Sequence, residues 1–166
     1  MSVNIALLTV TDTRTLETDK SGNILVEKIK KAKHNLVERK ICKDNKEDIK
    51  IILKEWTLKE DLDVIITTGG TGLTGRDITP EALNEIADKH IPGFGEIFRY
   101  YSLETVGTSS IQSRACAILS NGKYIFALPG SSGGVTDAWD KILVHQLDIN
   151  HKPCNFVELF PRLKEK

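Results

Sequence analysis

The chain has 166 residues, 40% hydrophobic and 28% charged, a composition that suits one soluble domain with a buried core. Its 23 acidic and 23 basic side chains cancel, so no net field draws it to nucleic acid or to an anionic membrane, and no apolar run is long enough to span a bilayer. No segment reads as a secretory or transit signal, and Cys42, Cys116 and Cys154 are too scattered for a disulfide framework or a zinc site, which points to reduced thiols in a cytoplasmic protein.

The segment 3–10 (VNIALLTV) is almost wholly apolar and predicts a strand buried on both faces. In 21–34, Ile24, Leu25, Ile29 and Ala32 fall on one helical face with lysines opposite. The segment 36–42 (LVERKIC) alternates as a strand does. In 46–60, Ile49, Ile52, Leu53 and Trp56 form one stripe and predict a second amphipathic helix. The segment 62–68 (LDVIITT) is another buried strand. This βαβαβ order predicts a parallel sheet with right-handed crossovers. Thr79-Pro80 predicts a helix start, with threonine as N-cap and proline at the first helical position, running through Ala82, Leu83 and Ile86. A further helix over 92–107 carries Phe94, Phe98 and Tyr101 at helical spacing, as core or subunit interface. In 117–130, Asn121-Gly122 predicts a hairpin, so one strand of the sheet runs antiparallel. The segment 135–148 closes the fold as a helix with Val135, Trp139, Ile142 and Leu143 inward. The chain shows no repeat, low-complexity run or linker, and its ends read as short and polar. The expectation is a single domain over 1–166, a three-layer α/β/α sandwich with a mostly parallel sheet.

In an open α/β sheet, ligands bind beyond the carboxyl ends of the strands. Four loops are expected there: TVTDTR, CKDNKED, TTGGTGLTGRD and LPGSSGG, each carrying hydroxyls, glycines or carboxylates. Gly69, Gly70 and Gly72 let the backbone take unusual φ and approach a ligand, and their N–H groups can form an anion-binding concavity. Thr68 and Thr71 add hydroxyls. Asp77 offers a hard oxygen ligand suited to Mg2+, and Arg76 suits either a phosphate or a neighbouring acid. The spacing Gly70-x-Gly72-x-x-Gly75 matches the dinucleotide fingerprint formally. It follows the third strand, the helix begins only after Asp77 and Thr79, and the acidic residue on the next strand is missing, so an NAD enzyme is the weaker reading. No Gly-Lys-Ser/Thr element exists for a Walker loop.

The stretch TTGGTGLTGRDITPEAL, with LPGSS downstream, closely resembles the molybdopterin-binding family of molybdenum cofactor biosynthesis (MoaB/Mog), to which the gephyrin G domain belongs. The resemblance extends over TVTD, PGFGEIFR, GTSSIQSR and KPCNF, and SIQSRA and KPCNF favour the MoaB branch. It implies transfer of AMP from Mg-ATP to the terminal phosphate of molybdopterin with release of pyrophosphate. It maps the catalytic and Mg2+-binding acids onto Asp77 and Asp44. It maps other pocket-lining positions onto Thr11, Asp12, Gly130 and Ser131, where Mog-type members more often carry lysine in place of Ser131. It also implies a homotrimer or hexamer, with other proteins of cofactor assembly as possible partners. The alternative is a non-catalytic molybdopterin carrier or scaffold.

Each of these residues also has a plainer role open to it. Asp77, Asp44 and Asp12 all precede helices or turns and suit capping. Ser109, Ser110 and Ser113 read as caps of a helix beginning there, with no base to make a nucleophile. His34 and His145 sit in helical patterns as satisfied or solvated groups.

Overall fold

The computed structural model describes residues 1–165. Six strands form one sheet in the order β2-β1-β3-β6-β5-β4: β1 (Asn4–Val10), β2 (Asn35–Cys42), β3 (Val64–Thr68), β4 (Lys89–His90), β5 (Cys116–Ser120) and β6 (Lys123–Leu128). The β1–β2, β1–β3 and β3–β6 ladders are parallel, and β5 runs antiparallel to both of its neighbours. The expected sheet, mostly parallel with one reversed strand, is the one observed. Asn121 (φ 47°) and Gly122 (φ 72°) make the tight turn between β5 and β6. Both residues tolerate positive φ, as a two-residue hairpin with this twist requires.

Helices cover both faces. The first face holds α1 (Lys20–Lys31), α4 (Pro92–Val106) and α5 (Ser132–Ala138). It buries Leu25, Ile29, Phe94, Phe98, Val135 and Trp139 on the β1 and β6 side chains Ile5, Leu7 and Phe126. The second face holds α2 (Lys46–Thr57) and α3 (Thr79–Asn84), which place Ile49, Leu53, Trp56, Ala82 and Leu83 on Ala6, Leu8 and Ile65. Successive residues of a strand point to opposite faces, so the unbroken apolar runs of β1 and β3 feed both cores at once.

Several boundaries differ from the sequence reading. α3 ends at Asn84, before Ile86. Thr79 lies inside the helix as its first residue while Ile78 takes the cap position, because the Thr79 hydroxyl is committed to the Gly69 carbonyl at 2.9 Å. β4 carries no sequence signal, because two residues show no periodicity. α5 begins three residues before the expected start, with Ser131 as N-cap, then passes into a π-helical stretch (Trp139–Leu143) and α6 (Val144–Gln146). The serines after α4 do not cap the start of a helix: Ser109 and Ser110 lie inside a short 3-10 helix whose N-cap position is Val106, and Ser113 follows its end. This 3-10 turn (Gly107–Gln112) leads into β5, and the Ser110 hydroxyl donates to Arg99 O at 2.7 Å. The carboxyl-terminal end is not merely polar, since Val157 is buried and Phe156 stacks within 4.7 Å of Tyr124.

Candidate active site

The carboxyl ends of β1, β2, β3 and β6 open onto one edge. β1 lies between β2 and β3, so the chain leaves β1 in one direction to β2 and returns past it to β3. That reversal leaves a crevice at the strand ends, where α/β sheets of this kind bind ligands. A cleft of about 960 Å3 occupies the position, near the top of the range of about 300–1,000 Å3 for small-molecule sites.

Every residue predicted for the site lines this cleft except Asp12 and Thr68. Thr68 is fully buried and donates to Pro129 O at 2.7 Å, which ties the end of β3 to the loop after β6. Asp12 borders an adjoining hollow beside Thr11. Its Oδ1 accepts from the Asp44 N–H at 3.1 Å and its Oδ2 pairs with Arg76, so Asp12 joins the loops after β1 and β2 to the glycine loop. Arg76 is thus an ion-pair partner of an acid and remains largely exposed. Thr11 uses its hydroxyl to accept from Thr13 N–H at 3.2 Å. Ser131 accepts from Gly134 N–H at 3.1 Å as the cap of α5.

The glycine loop is shaped from within the fold. Gly69 has φ +103°, and a Cβ there would stand 2.2 Å from Val10 O, so β1 leaves no room for a side chain. Its N–H donates to Leu128 O at 3.0 Å, fastening the loop to β6. The loop then turns outward to Asp77, whose Oδ2 accepts from Thr74 N–H at 2.9 Å and Thr74 Oγ1 at 2.6 Å.

The two predicted acids differ in state. Burial raises the Asp44 carboxyl above its usual value, and the charge of Asp77 raises it further. Burial also lifts Asp77, but hydrogen bonds from Thr74 and Gly72 and the charge of Arg114 outweigh it and hold the group below the ordinary range. Two carboxyls on one cleft, one of which feels the charge of the other, form an oxygen-rich locus suited to a hard divalent cation. Asp44 does not cap α2: the cap is Asn45, whose Oδ1 accepts from Glu47 and Asp48 N–H groups at 3.0 and 3.1 Å. Among the described residues no three His, Cys, Asp or Glu side chains gather as a closed metal site. A cation held here would take its remaining ligands from water or a bound phosphate, as Mg2+ commonly does.

The opposite wall of the cleft was not read from the sequence. It is built from α4 and the 3-10 turn, with Ser102, Thr105, Ser109, Gln112 and Ser113 facing the space. The hydroxyl-rich run GTSSIQS was the available signal, and the expectation of helix caps concealed it.

Fold and site together define an α/β domain with a small-molecule-sized crevice at its topological switch point, the architecture of molybdopterin-binding domains. A family model described as a probable molybdopterin binding domain matches residues 6–149. Molybdenum cofactor biosynthesis protein B of Escherichia coli K12 is 44% identical over 161 residues, covering 97% of this chain and 93% of the relative. A crystal structure of a Molybdenum cofactor biosynthesis protein B superposes with a TM-score of 0.89 at 41% identity, over 100% of this chain and 98% of the other. The tungsten cofactor synthesizing protein MoaB from Pyrococcus furiosus gives 0.76 at 36% identity, covering 86% and 91%. The chain belongs to the molybdopterin-binding family of molybdenum cofactor biosynthesis proteins, and its full-length relatives are of the MoaB kind.

Proposed function

We propose that this protein binds molybdopterin and ATP in the cleft and transfers AMP to the terminal phosphate of molybdopterin, releasing pyrophosphate. The observation that carries the reading is the presence of Asp44 and Asp77 on the same cleft as the glycine loop 69–72, close enough that the charge of Asp77 acts on Asp44.

The reaction forms a bond between a phosphate oxygen of molybdopterin and the α-phosphorus of ATP, and breaks the bond from that phosphorus to the pyrophosphate oxygen. Negative charge grows on the non-bridging oxygens as the nucleophile approaches. Backbone N–H groups at Gly70 and Thr71 are the fixed donors for such oxygens, since preorganised dipoles stabilise developing charge without reorganising. Asp44 and Asp77 are the residues that would hold Mg2+, which when bound neutralises phosphate charge and aligns the triphosphate. The hydroxyl wall of α4 and the 3-10 turn offers hydrogen bonds to a polar heterocycle such as a pterin. Of the exposed apolar side chains, Ile97, Tyr100 and Leu103 follow at three-residue intervals along α4 beside the cleft, a surface suited to self-association as a trimer or hexamer. Cofactor-assembly proteins that deliver or receive the pterin are the natural further partners.

Incubating purified protein with Mg-ATP and molybdopterin tests the proposal: pyrophosphate should appear in step with adenylylated molybdopterin. Molybdopterin binding without any pyrophosphate would reject transfer in favour of a carrier. That second reading has one feature in its favour, Ser131, which is occupied as a helix cap where Mog-type sequences more often carry lysine.

A further inference from the structure

The carbonyl groups of the glycine loop are all engaged. Gly69 O accepts from the Thr79 hydroxyl at 2.9 Å and Gly70 O from the Thr79 N–H at 3.0 Å. Thr71 O accepts from the Arg114 N–H at 2.8 Å and Gly72 O from Arg114 Nε at 2.7 Å. In a trans peptide the carbonyl and the following N–H point in opposite directions. Fixing these four oxygens therefore turns the N–H groups of Gly70, Thr71, Gly72 and Leu73 the other way. The Asp77 carboxylate lies against Gly72, where a Cβ would stand 2.8 Å from its Oδ2. The N–H groups of Gly70 and Thr71 meet no protein acceptor among the described residues, and both residues line the cleft.

Thr79 thus sets the two peptides whose N–H groups face the cleft, and Arg114 holds the next two, through its backbone N–H at Thr71 O and its side chain at Gly72 O. Arg114 Nη2 also donates to Asp77 O at 2.7 Å, while Glu81 of α3 pairs with the same guanidinium. One planar group therefore binds the loop backbone at Gly72 and again at Asp77, on either side of the turn that presents the Asp77 carboxylate. An ammonium could not serve these divergent acceptors in one geometry, because its charge is a point on a flexible stem and lacks the rigid fork.

We propose that Arg114 is a positioning residue of the active site: from behind the glycine loop its side chain pins the backbone at Gly72 and at Asp77, and so holds the turn between them and the Asp77 carboxylate in place for the cation, while Thr79 directs the Gly70 and Thr71 N–H groups. Its effect on turnover rests on the adenylylation reading; its effect on the loop does not. A brace needed only for stability would lower the melting temperature and leave the ligand geometry of the folded protein intact. A positioning role predicts a local change at the loop in protein that remains folded.

The test compares wild type with Arg114→Lys and Arg114→Ala, and with Glu81→Gln, which keeps the guanidinium but loosens its orientation. In Arg114→Lys, exchange of the hydrogen-bonded amides of the braced turn, Thr74 and Asp77, should quicken about tenfold or more through local opening, with β1, β3 and β6 unchanged. The Asp77 carboxyl, followed by carbon NMR, should titrate at higher pH. Pyrophosphate release should fall on the order of 100-fold in kcat, as for loss of a preorganised electrostatic contact, with a smaller change in KM for ATP. Methylguanidinium should restore part of the rate to Arg114→Ala, and Glu81→Gln should fall between. Unchanged loop exchange and Asp77 titration in the lysine variant would overturn the proposal, as would a lysine variant whose kcat equals that of a wild type that turns over. If the wild type released no pyrophosphate, the adenylylation reading would fall, and the exchange and titration measurements would still decide the role of Arg114. If Arg114→Ala did not fold, the lysine and Glu81 variants would carry the same decision.

Discussion

Asp44 feels the charge of Asp77 across the cleft: the second carboxylate helps raise the first above its ordinary value, although the two lie on loops after different strands. Replacing Asp77 by asparagine should let Asp44 titrate closer to the usual carboxylate range, which carbon NMR reads directly. The same variant should lose pyrophosphate release by on the order of 100-fold, about 3 kcal/mol in the barrier. It should remain folded, since the asparagine oxygen can still accept from Thr74. A variant with the wild-type rate would reduce Asp77 to a loop brace.

The raised carboxyl also sets a pH dependence. Mg2+ binds the ionised form, so its affinity should weaken as pH falls through the Asp44 value, at higher pH than for an ordinary carboxylate. For stability the sign is opposite. The native state binds the Asp44 proton more tightly than the unfolded chain, so stability contributed by this group falls as pH rises between the two values. Asp44→Asn should therefore raise the melting temperature of the metal-free protein near neutrality and abolish that part of the pH dependence of Mg2+ binding. Calorimetric titration and melting curves across pH check both.

Asp19 presents the contrasting case. It is 1% exposed, caps α1 through Gly22 N–H at 2.9 Å, accepts from Thr9 Oγ1 at 2.6 Å and pairs with Arg39 at 3.0 Å. Burial raises its carboxyl, and the Thr9, Gly22 and Arg39 contacts together bring it below the ordinary value. Its contribution is accordingly present above the unfolded carboxylate pKa and lost as pH falls through the lower folded one. Asp19→Asn keeps an acceptor for Gly22 but leaves Arg39 unpaired, and should cost about 3 kcal/mol in denaturant unfolding at neutral pH. The difference from wild type should shrink in acid.

Gly70 has φ +69°, and a Cβ there would lie 2.4 Å from Thr79 Oγ1. Gly70→Ala should destabilise by about 2 kcal/mol through backbone strain and displacement of Thr79. It should also erase the thermal stabilisation given by Mg-ATP, because the loop carbonyls lose their partner. A variant still stabilised by Mg-ATP as wild type is would exclude a binding role for this loop.

On α4, Tyr100 is 65% exposed and Leu103 49%. Substituting both by aspartate should lower the assembly measured by sedimentation equilibrium while far-ultraviolet circular dichroism stays unchanged. Unaltered mass would place the subunit contacts elsewhere.

Local pattern was enough for β1 and β3, because a strand buried on both faces must be apolar at every position, and for the β5–β6 turn, because few residue pairs accept positive φ twice. The motif residues of the glycine loop stood out for a similar reason, since glycine at Gly69 answers a constraint on its own backbone. β4, with two residues, carries no period. The serines of 107–113 lacked the same clarity, since a hydroxyl after a helix suits a cap, a turn or a pocket equally, and only the position of the neighbouring wall distinguishes them. Arg114 had no local signature, because its partners Gly72 and Asp77 are brought to it by the crossover of the chain.

By itself the sequence determined the alternation of strands and helices, the parallel sheet with one reversed strand, the family, and the loops that carry the ligand chemistry. These follow from period, turn stereochemistry and motif, which act over a few neighbouring residues. The tertiary structure decided which of those residues share a cleft, that Asp12 and Thr68 stand outside it, that the charge of Asp77 reaches Asp44, and that Arg114 supports the loop from behind. Such relations depend on the spatial arrangement of chain segments thirty or more residues apart, because electrostatic interaction and hydrogen bonding respond to distance, orientation and burial and not to separation along the chain.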